Sequence, residues 1–439
     1  MPRRRSPAPI RLPRALARPQ RAAVVLTLLA LAVPWAFAQP ARSAPGPAPF
    51  FLRDGDGVVF YGDSITQEGG YGRLVEAYVA SRFPTWDVRF YNAGVGGDRV
   101  SGGGAGGIEE RLERDVIALR PSVVTIMLGM NDGGYKPYDP ATFATYAEGY
   151  RSIVRRLKAA LPGVRLTLIQ PSPFDDVARP PQFAPGYDDV LRRYGCYVEA
   201  LGEREGARIV DFREPVNTGV ATLFATNPDL ARQILPDRVH PSDAGHLVMG
   251  AALLRSWNAP PLVTHVEIDA AGPSVAIAQN TEVTELEATE EGLAWAQLDR
   301  SLPLPLNFQG ATVDLAERAG AGLEALDRQP LVVRGLPDGD YDLKIDDATI
   351  GAFSAEDLAQ GVNLAIFNTP MRRQAFSLRW AAESRHELQR LRRQLLVAVA
   401  EEPMRKETAD GLAAHDEATQ AARRDAAQPL PRRYRITPR

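Results

Sequence analysis

From Val58 onward, short β-rich apolar runs alternate with longer stretches whose apolar residues recur at helical spacing. Val58-Val59-Phe60 reads as a short buried strand. Val88-Arg89-Phe90-Tyr91 reads as a second. Val123-Val124-Thr125-Ile126-Met127-Leu128 is a third, nearly all apolar, as a strand buried on both faces should be. Arg165 to Ile169 and Arg208 to Phe212 supply a fourth and a fifth. Between them the spacing predicts helices from Tyr71 to about Ser81, over Ile108 to Arg120, over Thr142 to Leu161, from Asp188 to about Glu205, and over Ser242 to Trp257. Pro121 and Pro162-Gly163 stop two of these helices. Strands alternating with helices predict a parallel sheet covered on both sides.

Ala259-Pro260-Pro261 punctuates the chain, and the pattern then changes. Val263 to Ile268 and Leu331 to Arg334 look like strands. Tyr341 to Ile345 and Ile350 to Phe353 flank the turn Asp346-Asp347-Ala348-Thr349, which predicts a hairpin. From about Met371 to Ala426 the chain is charged and helical, with a polar, Pro-containing tail. No repeat of fixed period is present. The expected organisation is a signal peptide over residues 1–38, a Pro/Ala-rich linker over 39–50, an α/β domain over 51–261, a small β-rich accessory domain over 262–370, and a charged helical segment with a tail over 371–439.

Composition changes this picture at three points. The 439 residues exceed the ~100–200 usual for one domain, so two are expected. Cys196 is the single cysteine, which excludes an intramolecular disulfide and any C-x-x-C site. It lies in a predicted helix and is expected to be a small buried hydrophobe. The N-terminus carries seven arginines, then the apolar run Ala22 to Val33, then Ala36-Phe37-Ala38, which fits an A-x-A cleavage site. A membrane anchor is the alternative, but the run is shorter than the ~20 residues of a span and Pro34 interrupts it. Removing the seven arginines takes the formal charge from −3 to about −10. An acidic mature protein argues against a nucleic-acid or anionic-membrane partner. After signal removal, an exported (periplasmic or secreted) protein with no stable membrane insertion is expected.

Candidate chemistry starts at Tyr61-Gly62-Asp63-Ser64-Ile65-Thr66. A serine leaving a strand for a helix sits at the carboxyl edge of a sheet, where open α/β folds place ligands. The plainer alternative is a helix N-cap serine. Three further segments weigh towards function: Asn92-Ala93-Gly94-Val95-Gly96-Gly97-Asp98, Gly129-Met130-Asn131-Asp132, and Asp237-Arg238-Val239-His240-Pro241. Together the four segments resemble those of the SGNH hydrolases, the GDSL esterase family, in that family's order and over residues 51–261. The resemblance implies a flavodoxin-like three-layer α/β sandwich with a central parallel five-stranded sheet. It also implies a carboxylic ester hydrolase with a serine nucleophile.

The residue chemistry agrees with that implication. Acyl transfer needs a nucleophile, a base to take its proton, and donors aimed at the developing oxyanion. Ser64 supplies the hydroxyl and His240 the base, with Asp237 holding the imidazole in its useful tautomer. A spacing of three lets Asp237 and His240 point the same way from one turn. Pro241 biases His240 away from helical geometry and suits the first position of the helix that follows. The resemblance further implies an oxyanion hole made by the Ser64 and Gly97 backbone N–H groups and the Asn131 side-chain amide. It calls for no cofactor and no metal.

Other features have plainer readings. Asn92 and Asp98 either act at the site or only shape their loop, and Asp132 is expected to be structural. His246 is expected to be a packing or surface residue, and His265, His386 and His415 to lie outside the chemistry. The glycine run from Gly102 to Gly107 lacks the G-K-[ST] ending of a phosphate loop and is expected to be a flexible loop beside the cleft. Asp54-Gly55-Asp56-Gly57 lacks the later glutamate of a calcium loop and reads as a turn. No G-x-S-x-G elbow is present, which argues against an α/β-hydrolase. The basic residues Arg385, Arg390, Arg392 and Arg393 read as a solvated helix face rather than an anion site.

The expected substrate is a small-molecule or carbohydrate acyl ester, with a short acyl group such as acetyl. Pro171 to Tyr187 and Val216 to Leu235 are expected to border the cleft. A lysophospholipase or thioesterase, an acyltransferase using the same triad, and a non-catalytic binding protein acting through the C-terminal region are the alternatives. The sequence carries no signal for oligomeric state.

Overall fold

In a computed structural model of the chain, residues 48–289, 292–398 and 403–439 are described. The expected signal peptide and nearly all of the linker lie outside the described residues. Among the described residues no helix is long and apolar enough to cross a membrane. Residues 47–439 form one compact unit.

The five expected strands are present and parallel: β1 (Gly57–Gly62), β2 (Arg89–Gly94), β3 (Val123–Met127), β4 (Arg165–Ile169) and β5 (Arg208–Val210). Their order is β2-β1-β3-β4-β5, the flavodoxin-like order, whose chain direction reverses between β1 and β3. Every residue of β3 is buried, which is why its sequence is a continuous apolar run. The carboxyl ends of β1 and β3 therefore open onto the crevice at the switch point. The segments bearing Ser64 and Asn131 leave the sheet at these two ends.

Helices cover both faces: α1 (Ser64–Glu68), α2 (Gly70–Arg82), α3 (Ile108–Asp115), α4 (Pro140–Ala160), α5 (Tyr187–Glu205), α6 (Arg213–Thr226) and α7 (Asp243–Ser256). The helix expected from Tyr71 begins at Gly70. Gly69, in the left-handed region at φ +75°, ends α1 and starts α2. On α4, Tyr146 and Tyr150 bury their rings and donate to the carbonyls of Leu128 and Ile126. On α5 the buried stripe is Val190, Leu191, Tyr194, Val198 and Leu201. Cys196 lies off that stripe and is exposed, contrary to expectation, because helical periodicity turns it to the outer face. The glycine run is ordered as an antiparallel pair, Gly102–Gly103 with Gly106–Gly107, rather than a flexible loop.

Beyond Pro261 the chain is β-rich. One sheet has the order β13-β10-β6-β7, from β6 (His265–Asp269), β7 (Ser274–Gln279), β10 (Pro330–Arg334) and β13 (Val362–Asn363). The other contains β8 (Thr281–Thr289), β9 (Gly292–Asp299), β11 (Asp340–Ile345), β12 (Ala348–Ser354) and β14 (Arg432–Pro438), in the order β8-β9-β14-β11-β12. The expected hairpin is β11–β12. The polar tail supplies the middle strand of this sheet, antiparallel to both neighbours. Tyr434 stacks on Trp295 at 5.0 Å between centroids, and both are buried.

Two long helices, α8 (Pro370–Ala398) and α9 (Pro403–Ala427), return to the first sheet and cover its β2 edge. An open edge is a row of unpaired backbone groups, and here side chains fill that row. Gln389 donates to Phe90 O at 2.9 Å and accepts from Asn92 N at 3.3 Å. Arg393 donates to Asn92 O at 2.7 Å, and Gln420 to Val88 O at 3.1 Å. Arg385, expected on a solvated face, is buried and bridges Glu76 at 2.5 Å and Asp416 at 2.7 Å. Its carboxylate partners come from α2 and α9, too far along the chain to be read from α8. Arg390 does face solvent and pairs with Glu387 one turn away.

Candidate active site

The first turn after β1 fixes Ser64. Asp63, buried to 1 % exposure, caps α1 by accepting from Ile65 N at 3.1 Å. Ser64 is thus the first residue of the helix rather than its cap. A backbone N–H at that position has no intrahelical acceptor and is free for a ligand. Burial pushes the Asp63 carboxyl up to about 7, against the Ile65 N–H bond that favours its charged form.

The last loop delivers His240 and Asp237 together. Asp237 Oδ1 accepts from Val239 N at 2.9 Å and His240 N at 2.7 Å, folding the loop around the carboxylate. Its other oxygen lies 2.7 Å from His240 Nδ1. Arg238 between them has φ +78°, the left-handed turn that lets residues 237 and 240 face the same way. Arg238 is held by Pro180 O at 3.0 Å, by Asp175 N donating to its carbonyl at 2.9 Å, and by the Phe174 ring. Burial tends to raise the Asp237 carboxyl, but hydrogen bonds from the His240 ring and from the two backbone amides hold it below the usual carboxylate range.

His240 Nε2 lies 2.8 Å from Ser64 Oγ. An ionised carboxylate only accepts, so Nδ1 carries the proton and donates to Asp237. Nε2 is then the acceptor for the Ser64 hydroxyl. The side chains of His240 and Asp237 remain 36 % and 56 % exposed, so the imidazole edge opens to solvent.

The second and third loops are tied to the first and to each other. Val95 N donates to Gly62 O at 3.0 Å, and Gly96 N to Gln67 Oε1 at 2.6 Å. Asn92 shapes its own loop: its amide donates to Thr66 O at 2.6 Å, and its oxygen accepts from Gly94 N at 2.8 Å. Gly94 packs so closely on α1 that a Cβ there would lie 2.2 Å from Gln67 N. Asp98 is buried against Arg111, which donates to it at 2.9 and 3.1 Å and to Ala93 O at 2.9 Å. Asp132 Oδ1 accepts from Val100 N at 3.0 Å, a structural tie as expected. The Asn131 amide donates to Asp98 O at 3.1 Å, which places it beside Gly97. Gly97 has φ +73°, and its N–H has no acceptor among the described residues.

The structure therefore brings Ser64, His240 and Asp237 into one hydrogen-bonded chain and sets Asn131 against the Gly97-Asp98 turn. Such an arrangement can deprotonate a hydroxyl and meet a developing oxyanion with N–H donors. Three contributors were missed from sequence. Tyr135, at φ +58°, donates to Asn131 Oδ1 at 3.1 Å and packs on Tyr187 and Phe174. Glu68 meets the buried His246 at 3.1 Å. His386 packs on Gly69 and lies 3.4 Å from the Asn92 amide, with burial pushing it down to about 4. Only Tyr135 carried a local signal, an aromatic directly after Gly133-Gly134. Among the described residues no cluster suited to a metal ion is present.

Comparison with known proteins gives four relations. The model of the GDSL-like Lipase/Acylhydrolase family matches residues 60–248. An acetylxylan esterase of Geobacillus stearothermophilus is 30% identical over 227 residues, covering 46% of this chain and 94% of that protein. A solved structure, BT4096, described as a gut microbial diltiazem-metabolizing enzyme, is 24% identical with a TM-score of 0.79, covering 88% of this chain and 98% of that one. The crystal structure of Axe2, an acetylxylan esterase from Geobacillus stearothermophilus, is 28% identical with a TM-score of 0.39, covering 47% and 96%.

Proposed function

For this chain, which belongs to the GDSL-like lipase/acylhydrolase family of SGNH hydrolases and hydrolyses ester bonds, we propose an exported serine esterase that removes acetyl groups from carbohydrate. Ser64 attacks the acyl carbon while His240 Nε2 takes its proton. The oxyanion is met by the N–H groups of Ser64 and Gly97 and by the Asn131 amide. His240 gives the proton to the departing sugar oxygen as the C–O bond breaks, which leaves an acyl-enzyme at Ser64. Water, deprotonated by the same ring, releases the acid.

The observation that carries the reading is the continuous bonding from Ser64 through His240 to Asp237, at 2.8 and 2.7 Å. Carbohydrate as the alcohol part is supported by the acetylxylan esterase relative and by the solvent-open edge of the imidazole, which a bulky chain can approach. Export rests on the basic and apolar N-terminal sequence.

The test is acetate release from acetylated xylan, alongside p-nitrophenyl esters of rising acyl length, by wild type and Ser64→Ala. The expected result is wild-type activity highest on acetyl esters and lost in the variant. Equal activity of the two proteins would reject Ser64. Wild-type activity confined to long acyl chains would reject deacetylation in favour of a lysophospholipase-like reaction.

A further inference from the structure

Where α8 and α9 meet the β2 edge and the end of α3 there is a cavity of about 330 Å³, lined in part by Tyr91, Arg114, Gln389, Arg392, Arg393 and Ala413. The carboxylates in its wall are already engaged. Asp115 is bonded by Arg111 and Arg114, Asp416 by Arg385 and Gln389, and Glu417 by Arg89. Two guanidiniums are left over. Among the described residues Arg393 makes one hydrogen bond, to the neutral carbonyl of Asn92. Arg392 has no acceptor among the described residues, and its Nε is buried without a partner.

An isolated buried charge is costly. Arginine cannot relieve that cost by losing its proton. Burial, and then the guanidiniums of Arg111, Arg114 and Arg390, push Arg393 down to about 10, with Asp115 opposing. The three carboxylates of the wall are each paired, so the charge left uncommitted at the cavity is that of Arg392 and Arg393.

We propose that this cavity binds an oxyanion, a carboxylate or a phosphate, clamped by Arg392 and Arg393 with Arg114 at its edge. A planar guanidinium pairs with either group through two parallel N–H···O bonds. The volume suits a ligand of sugar-acid or sugar-phosphate size. Leu119, Leu388 and Leu412, also in the wall, would contact its apolar faces. The site is separate from Ser64 but not isolated from it. Arg393 holds Asn92 O, and the Asn92 side chain holds Thr66 O in α1, the helix that begins at Ser64, and Gly94 N at the end of β2.

The test is thermal unfolding of the full chain in inorganic phosphate, glucuronate or acetate, each against chloride at equal ionic strength. A saturable rise of about 1–2 °C is expected near tenfold the dissociation constant. The rise should vanish in Arg392→Gln and Arg393→Gln. Ala413→Glu places a carboxylate inside the cavity. It should raise the midpoint without added anion and abolish the response. A response to phosphate alone assigns a phosphoryl ligand, and one shared by glucuronate assigns a carboxylate; both support the site. No shift beyond chloride, an equal shift in the variants, or a destabilised Ala413→Glu protein with an intact response overturns it. Because the readout is stability, it is independent of whether Ser64 carries the chemistry.

Discussion

Tyr135 donates its hydroxyl to Oδ1 of Asn131 at 3.1 Å, while the Asn131 amide nitrogen donates to Asp98 O at the same distance. The two bonds lock the side-chain amide in one orientation, with its nitrogen towards Gly97. Tyr135 itself is fixed by the Tyr187 ring, 4.9 Å away between centroids. Tyr135→Phe keeps the ring and removes the bond. We expect kcat to fall about 3- to 10-fold, the worth of one neutral hydrogen bond, with KM nearly unchanged. A change confined to KM would make Tyr135 a substrate contact instead.

Asp237→Asn retains the oxygen that accepts the backbone amides of Val239 and His240, so the loop should fold normally. Its NH₂ group, however, favours the imidazole tautomer with the proton on the wrong nitrogen. A fall in kcat of about 10³- to 10⁴-fold is expected, measured on p-nitrophenyl acetate. A loss smaller than about tenfold would remove Asp237 from the proton relay.

Stability should respond to the buried Asp63 carboxyl, raised from 3.8 to about 7. A raised folded-state value means the native protein binds the proton more tightly than the unfolded chain. The contribution is therefore fully present below about pH 4 and is lost as pH climbs through about 7. Asp63→Asn keeps a capping oxygen and removes the titration. Urea unfolding across this window should show a smaller decline in the variant. Asp132, raised to about 6 by burial, keeps some decline in place. Identical pH profiles would mean that Asp63 does not titrate there.

Gln389→Leu should cost about 1–3 kcal/mol in urea unfolding, because Phe90 O and Asn92 N lose their partner at a covered sheet edge. Arg385→Met should cost more, about 3–5 kcal/mol, since it leaves the Asp416 carboxylate uncompensated. A neutral Gln389→Leu would mean that water reaches the β2 edge beneath α8.

The central sheet and the four site segments were legible because each is written locally. A doubly covered parallel strand is a continuous apolar run, and a tight loop at its end needs glycine, asparagine or aspartate. What was not legible depends on distant partners. Arg385 is indistinguishable from the exposed Arg390 until Glu76 and Asp416 are brought beside it. His386 had no visible link to Asn92. β7 has an exposed, weakly patterned surface with Val275 and Ile277 open to solvent, so it gave no alternating signal. In β14, only Tyr434 and Ile436 alternate with arginines, too short a pattern to stand out from a charged tail.

Residues 432–438 form the middle, not the rim, of their sheet. A ribosome must therefore translate some 130 residues beyond β9 before that strand finds its groove, whereas the sheet that bears Ser64 is assembled from neighbouring units made much earlier. A nonsense codon just after α9 would spare Ser64, Asn131, Asp237 and His240 and still split the C-terminal sheet into two unpaired hairpins, leaving a nascent chain with sticky margins for chaperones and proteases to find.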